Sequence, residues 1–215
     1  MILDAPFPWF GGKSRVAPEV WQRFGDVPNY VEPFFGSGAA LLGRPFWHTG
    51  SIETVNDKDG FISNFWRAIQ HDPLAVAEHA DWPVNENDLH ARHAWLVKRG
   101  DTFVAELEGD PDCYDAKIAG WWVWGICCWI GSGFCSGQGP WQVDQDSRQL
   151  VHLRDAGKGV NRQLVHLGGA GMGVNRKLVH LRNAGLGVNR QRVNLEQWFM
   201  LLSERLRNVR VCSGD

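Results

Sequence analysis

Two glycines one residue apart, Gly36 and Gly38, stand between a β-type run, Tyr30-Val31-Glu32-Pro33-Phe34-Phe35, and an apolar helix start, Ala39-Ala40-Leu41-Leu42. Glycine enters left-handed backbone at no steric cost. A Gly-Ser-Gly turn therefore lets a strand pass sharply into a helix and brings main-chain amides close to a ligand at the helix N-terminus. Pro33 must sit at the strand's end, because it cannot donate to a ladder. A second β-rich stretch, Ser51–Val55, ends at Asn56-Asp57, and Gly60–Gln70 has helical periodicity. Strand, glycine turn, helix and strand together open a doubly wound α/β sheet.

A Gly-x-Gly turn alone is an ordinary strand–helix connection more often than a site. Asp57, about 20 residues further on at the end of the next strand, adds a carboxylate that can accept two hydrogen bonds from ribose hydroxyls. An Asp in the run Asn56-Asp57-Lys58-Asp59 can also cap a helix, and Asp59 is the better placed cap. Turn and acid together point to an adenosine-containing cofactor, a dinucleotide or S-adenosylmethionine. The segment Pro8-Trp9-Phe10-Gly11-Gly12-Lys13 separates the two. A dinucleotide fold usually begins at its first strand, whereas here an aromatic–Gly-Gly–Lys element precedes it. Lys13 offers a cation for a carboxylate or phosphate, and Trp9 a stacking face.

On these motifs, in this order, the chain resembles the Dam-type class of adenine-specific DNA methyltransferases. The matching elements are Trp9 to Lys13, Val31-Glu32-Pro33-Phe34-Phe35-Gly36-Ser37-Gly38, and Asn56-Asp57-Lys58-Asp59, with Ile62 to Arg67 similar to the family's next helix. The resemblance covers residues 5–70 well and 196–215 loosely. It implies a partial Rossmann-like α/β methyltransferase fold and S-adenosylmethionine as cofactor, with a target-recognition region inserted before the catalytic motif. By position it places Trp9, Gly11, Lys13, Glu32, Phe35, Gly36, Gly38 and Asp57 around the cofactor. It also implies methyl transfer to the exocyclic amino group of adenine in double-stranded DNA, in the cytoplasm of a bacterial or phage-infected cell.

The family's catalytic motif, Asp-Pro-Pro-Tyr, is not in this sequence, which has no Pro-Pro pair. Asp72-Pro73-Leu74-Ala75 lacks the second proline and the aromatic, and follows the wrong element. In the family the catalytic strand comes a few tens of residues after the position of Val209–Cys212. No catalytic residue is therefore assigned in residues 1–215. Catalysis is expected to need a second polypeptide carrying Asp-Pro-Pro-Tyr, or self-association across a sheet with only three strands, and the chain is expected to be inactive alone. The alternative is a non-catalytic DNA- or cofactor-binding module. A nucleotide-dependent oxidoreductase is disfavoured by Trp9 to Lys13.

Three units of 14 residues begin at Arg148, Arg162 and Arg176, each with a Leu-Val-His-Leu core and an Ala-Gly-x-Gly turn. Each is long enough for a strand and a long turn. Residues 148–192 hold nine Lys/Arg and one acid, a local net of +8, against 13 basic and 23 acidic residues elsewhere. The overall formal charge of −2 hides this basic segment. Arg148, Arg162, Arg176 and Arg190, with Asn161, Asn175 and Asn189, are the candidate DNA contacts, since Arg suits phosphate and guanine edges and Asn pairs with adenine. The competing reading is an inert linker. His152, His166 and His180 fall on one strand face more naturally than around a metal.

The units expected are a cofactor-binding part at 1–70, a helical and repeat-containing insert at 71–195, and a return at 196–215 through a helix (Asn194–Leu206) and a strand (Asn208–Cys212). Of the 12 Trp, those at 121, 122, 124 and 129 read as core of a buried helix, Asp115–Ile130. Phe134 and Trp141, in a Gly-rich loop, either stack on bases or pack beneath it. Five cysteines, an odd number without zinc-type spacing, read as reduced thiols. There is no apolar run of membrane-spanning length and no secretory pattern at the N-terminus.

Overall fold

A computed structural model describes residues 3–45, 50–129, 134–135, 141–143, 150–152 and 195–214. Over these residues the protein is mixed α/β, with seven α-helices, a three-stranded sheet and a two-stranded one. The larger sheet contains β1 (Asn29–Glu32), β2 (Ile52–Asp57) and β5 (Val209–Ser213), all parallel, in the order β1-β2-β5. The smaller is antiparallel, β3 (Trp141–Val143) against β4 (Leu150–His152). Trp141 thus begins a strand, where the glycines around it predicted only loop. β4 is the Leu-Val-His of the first repeat, and the other two repeats lie outside the described residues.

Alternation in the strands decides which face is covered. Tyr30, Glu32, Glu53, Val55 and Val209 are buried on one side, while Asn29, Val31, Ile52, Arg210 and Cys212 are exposed on the other. The helices α3 (Gly60–His71) and α7 (Leu195–Leu206) carry the apolar residues that meet the core. Among them pack α4 (Pro73–Ala80), α5 (Glu86–Gly109) and α6 (Ala116–Cys128). Four of these helices, α3 to α6, start on a side-chain cap: Asp59 accepts from Phe61 N, Asp72 from Ala75 N, Asn85 from Asp88 N and Asp115 from Ile118 N. Asp72-Pro73 is therefore a helix start, with proline at the first position where its missing N–H costs nothing.

The aromatic residues make one core from segments far apart in sequence. Phe7 stands edge-on to Phe65 of α3 (5.4 Å) and Trp122 of α6 (5.0 Å), and Phe65 stands edge-on to Phe199 of α7 (6.1 Å). Such pairs add about 0.5–1.5 kcal/mol each beyond area burial. Trp122 and Trp124 are fully buried and Trp121 and Trp129 half-buried. The start of α6 is also tied to α3 by Asn64, which donates to Asp115 O (3.0 Å) and accepts from Asp115 N (2.7 Å). Phe134 is buried too. Its ring lies against Gly125, where a Cβ would come within 2.1 Å of Cζ, between His93 and Trp129. It packs rather than stacking on bases. His93 Nε2 accepts from Cys135 N (3.2 Å), and burial lowers this imidazole to about 4.

The sheet's buried face holds charge at its centre. Glu53 of β2 accepts from Arg205 of α7 through both oxygens (2.7 and 2.8 Å) and from Arg44 at 2.9 Å. Arg44 follows the one-turn helix α2 (Ala39–Leu42), and its guanidinium lies over the ring of Trp21 in α1 (Ala17–Phe24). All three charged side chains are buried. Removing one partner of such a cluster strands the others in a low-dielectric interior. Glu53→Ala should cost about 3–5 kcal/mol in urea unfolding, whereas Glu106→Ala, which breaks the partly exposed Arg99–Glu106 pair, should cost under about 1 kcal/mol. Equal small effects would show that the cluster contributes little.

Candidate functional site

β1 and β2 run parallel, so their carboxyl ends lie together, and the glycine turn and Asp57 meet there. Phe35 N donates to Asn56 O (2.9 Å), and Gly36 N donates to Asp57 Oδ2 (2.7 Å). Asp57 Oδ1 accepts from Asp59 N (3.0 Å), while Asp59 itself caps α3. Asp59 is thus the cap that the sequence favoured, while Asp57 is held by two backbone amides. A carboxylate has about four acceptor positions. Asp57 commits one on each oxygen and, half-buried, keeps capacity for donors from solvent or a ligand.

Gly36 and Gly38 both have left-handed backbone, φ +54° and +70°. Their missing side chains serve different neighbours. A Cβ on Gly36 would lie 2.6 Å from Trp9 Cδ1, so the N-terminal indole rests directly on the turn. A Cβ on Gly38 would lie 2.8 Å from Trp66 Cζ2. Gly38 therefore admits a core tryptophan of α3, whose Nε1 donates to Gly36 O (2.9 Å). Trp9 is held from behind by Phe7 and Trp122, with ring centroids 6.1 and 6.5 Å away, and keeps 37% of its surface exposed.

From Trp9 the chain turns tightly, Gly12 N donating to Trp9 O (3.0 Å) with Gly11 at φ +75°. This delivers Lys13 to the end of β1. Its ammonium donates to Phe34 O and forms an ion pair with Glu32 Oε1 at 2.9 Å. Glu32 Oε2 accepts from the Tyr30 hydroxyl (2.9 Å). Burial pushes the Glu32 carboxyl up, and Lys13, Tyr30 and the Leu41 backbone oppose it. Burial and the Glu32 charge push the Tyr30 hydroxyl up as well, which keeps it a donor.

Of the eight residues expected around a cofactor, Trp9, Lys13, Gly36 and Asp57 gather at one place. Gly11 shapes the turn between Trp9 and Lys13, and Glu32 sits buried behind Lys13. Phe35 and Gly38 face inward, Phe35 at 2% exposure against Trp66 (4.9 Å). Phe34, 78% exposed beside Lys13, is the aromatic that sequence reading missed. Strand alternation carried past Pro33 would bury Phe34 and expose Phe35, and the opposite is observed. Arg148, Arg162, Arg176, Arg190, Asn161, Asn175 and Asn189 lie outside the described residues. A separate cleft of about 370 Å³ is lined by Asp4, Ser14, Ala17, Trp21, Gln22 and Ala39, among others. It adjoins the site through Ser14 and Ala39 but none of the eight lines it.

The Lys13–Glu32 pair has a pH signature. Without Lys13, Glu32 keeps its burial and loses an opposing charge, so its folded-state pKa rises further above the unfolded value. A group with a raised folded pKa loses stability as pH rises through that pKa. Lys13→Met should therefore destabilise the protein more at pH 8 than at pH 5, by about 2 kcal/mol, and adding Glu32→Gln should remove the difference. A pH-independent effect would mean that Lys13 acts through packing alone. No protein-family model matches the chain, and no curated protein matches it.

Proposed function

We propose that this site binds S-adenosylmethionine, and that residues 1–215 are the cofactor-binding and DNA-recognition portion of a Dam-like DNA adenine methyltransferase with a partial Rossmann-like fold. The observation that carries the reading is the convergence of Trp9, Lys13, Gly36 and Asp57, from three separate stretches of sequence, at the carboxyl ends of β1 and β2. Ligands of open parallel α/β sheets bind at that end. The order β5-β2-β1 is what one arm of a doubly wound sheet gives, with β1 innermost.

The residues fit the group. Asp57 has acceptor capacity for ribose hydroxyls and is held in place by two backbone amides. Lys13 supplies the cation for the amino-acid carboxylate, and Glu32 holds Lys13 at the mouth of the turn. The glycine turn keeps the main chain low enough for close approach. The cofactor supplies an electrophilic methyl group when bound. The carboxylate that would receive adenine's amino group lies outside residues 1–215, on a continuation of this chain or on a second polypeptide carrying Asp-Pro-Pro-Tyr. Duplex DNA would meet the basic repeats, where Arg and Lys outnumber acids nine to one.

Calorimetric titration tests the cofactor. Wild type should bind S-adenosylmethionine and S-adenosylhomocysteine, and NAD should not compete. Asp57→Ala should weaken binding by about 1.5–3 kcal/mol, roughly 10- to 150-fold, for the loss of a charged acceptor. Equal affinity in wild type and Asp57→Ala would remove the ribose role, and displacement by NAD would favour a dinucleotide site.

A further inference from the structure

We infer that a row of alternating tryptophans and cations, Trp82, Arg92, Trp121, Lys117 and Trp95, binds single-stranded nucleic acid, with bases on the outer rings and phosphate at Lys117. The row is separate from the cofactor site and does not depend on it. Helical spacing builds it. Arg92 and Trp95 are one turn apart on α5, and Lys117 and Trp121 are one turn apart on α6. The Arg92 guanidinium lies over Trp82 at 4.9 Å and over Trp121 at 5.3 Å from the ring centroids. The Lys117 ammonium lies over Trp121 at 4.5 Å and over Trp95 at 4.8 Å. Trp121 is shared by the two cations, so ring and charge alternate from Trp82 to Trp95.

Open ring surface is the first reason for this ligand. Trp82 is 46% exposed and Trp95 36%, whereas Trp122 and Trp124 of α6 are buried. Among the described residues Arg92 makes the one cation contact to Trp82, and no aromatic ring packs on that indole. Any unstacked base can lie on such a surface, whatever its sequence. Uncompensated charge is the second reason. Among the described residues neither Arg92 nor Lys117 has a carboxylate within ion-pair distance, and Asp88 acts on Arg92 only from further away. Arg92 is buried and serves to fix Trp82 and Trp121, since a desolvated cation holds an aromatic face more strongly. Lys117 is half-buried, and its ammonium has donors left for a phosphate. An acidic polypeptide would satisfy Lys117 but leave the open indoles unused. A duplex keeps its base faces within its own stack, so the row fits unpaired bases.

Fluorescence anisotropy on the full chain tests this with three labelled probes of equal length: single-stranded oligothymidylate, the same strand without bases, and a duplex. Variants are checked for folding by circular dichroism. Trp82→Ala should weaken the oligothymidylate by roughly 5- to 150-fold, the loss of one stacked base. It should leave the abasic strand and the duplex unchanged, because those bind through phosphates alone. Trp82→Phe should keep most of the single-strand affinity, and Trp95→Ala should repeat the selective loss from the other end of the row. Lys117→Gln should flatten the salt dependence on the single strand by about 0.7 in the slope of log K against log salt. Equal losses on all three probes, or no loss with Trp82→Ala and Trp95→Ala, would overturn the inference and leave duplex binding by the repeats standing. Equal competition by polyglutamate would overturn it in favour of an acidic polypeptide. No binding of oligothymidylate by wild type would overturn it outright.

Discussion

The carboxylate of Glu53, buried between two guanidinium groups, fixes the geometry on which the site depends. Arg44 reaches it from just beyond the glycine-turn helix, and Arg205 reaches it from α7, 152 residues further along the chain. The cluster joins both ends of the sheet domain across the long insert. Arg205 also donates to Leu41 O in α2, so the helix after the turn is tied to the same point. A charge cluster is an expensive way to hold a core. It specifies register, however, because a one-residue slip of β2 would turn Glu53 to the open face and strand both arginines.

The sheet is covered by helices on one face only, over the described residues. Parallel sheets are ordinarily covered on both, because their strands are joined by crossovers that lay helices on each side. Here Val31 and Ile52 are exposed on the second face, and among the described residues β1 has a neighbour along one edge only. The candidate site lies at the carboxyl end of that edge strand. The aromatic core explains how such a narrow sheet is held. Phe7, Phe65, Trp122 and Phe199 bring the N-terminal segment, α3, the insert and α7 into one cluster. Trp122 belongs to that core and is also the rear support of Trp9, so the insert packs directly behind the site. No helix among the described residues is long and apolar enough to cross a membrane.

Local signals in the sequence were enough for most of the elements and for the turn at the carboxyl ends of β1 and β2. The Gly36–Gly38 turn, the period-2 run before it and the acids at 57 and 59 each have a short-range cause, and the structure puts them where that cause requires. Asp59 was legible as the cap because it stands immediately before the helix. What was not legible depends on partners far away in sequence. Nothing near Glu53 marks it as the mate of Arg44 and Arg205, since a Glu in a β-rich run reads as surface. Phe35 faces inward and Phe34 outward, against the alternation of β1, because Pro33 ends the strand and resets it. Trp141 is in a strand although glycines dominate its neighbourhood, since pairing with β4 outweighs local propensity.

In the proposed site the N-terminal Trp–Gly-Gly–Lys element, the glycine turn and Asp57 act together on one ligand. Backbone amide shifts of the ¹⁵N-labelled chain, recorded while S-adenosylmethionine is added, test it most directly. Gly36 N is the most informative probe, because it is the donor that Asp57 holds at 2.7 Å. Gly36, Asp57, Gly12 and Lys13 should move together, along one saturation curve, with the smallest shifts far away on α5. Shifts confined to the cleft around Trp21 and Gln22, or absent at Gly36 and Asp57 at saturating ligand, would contradict it.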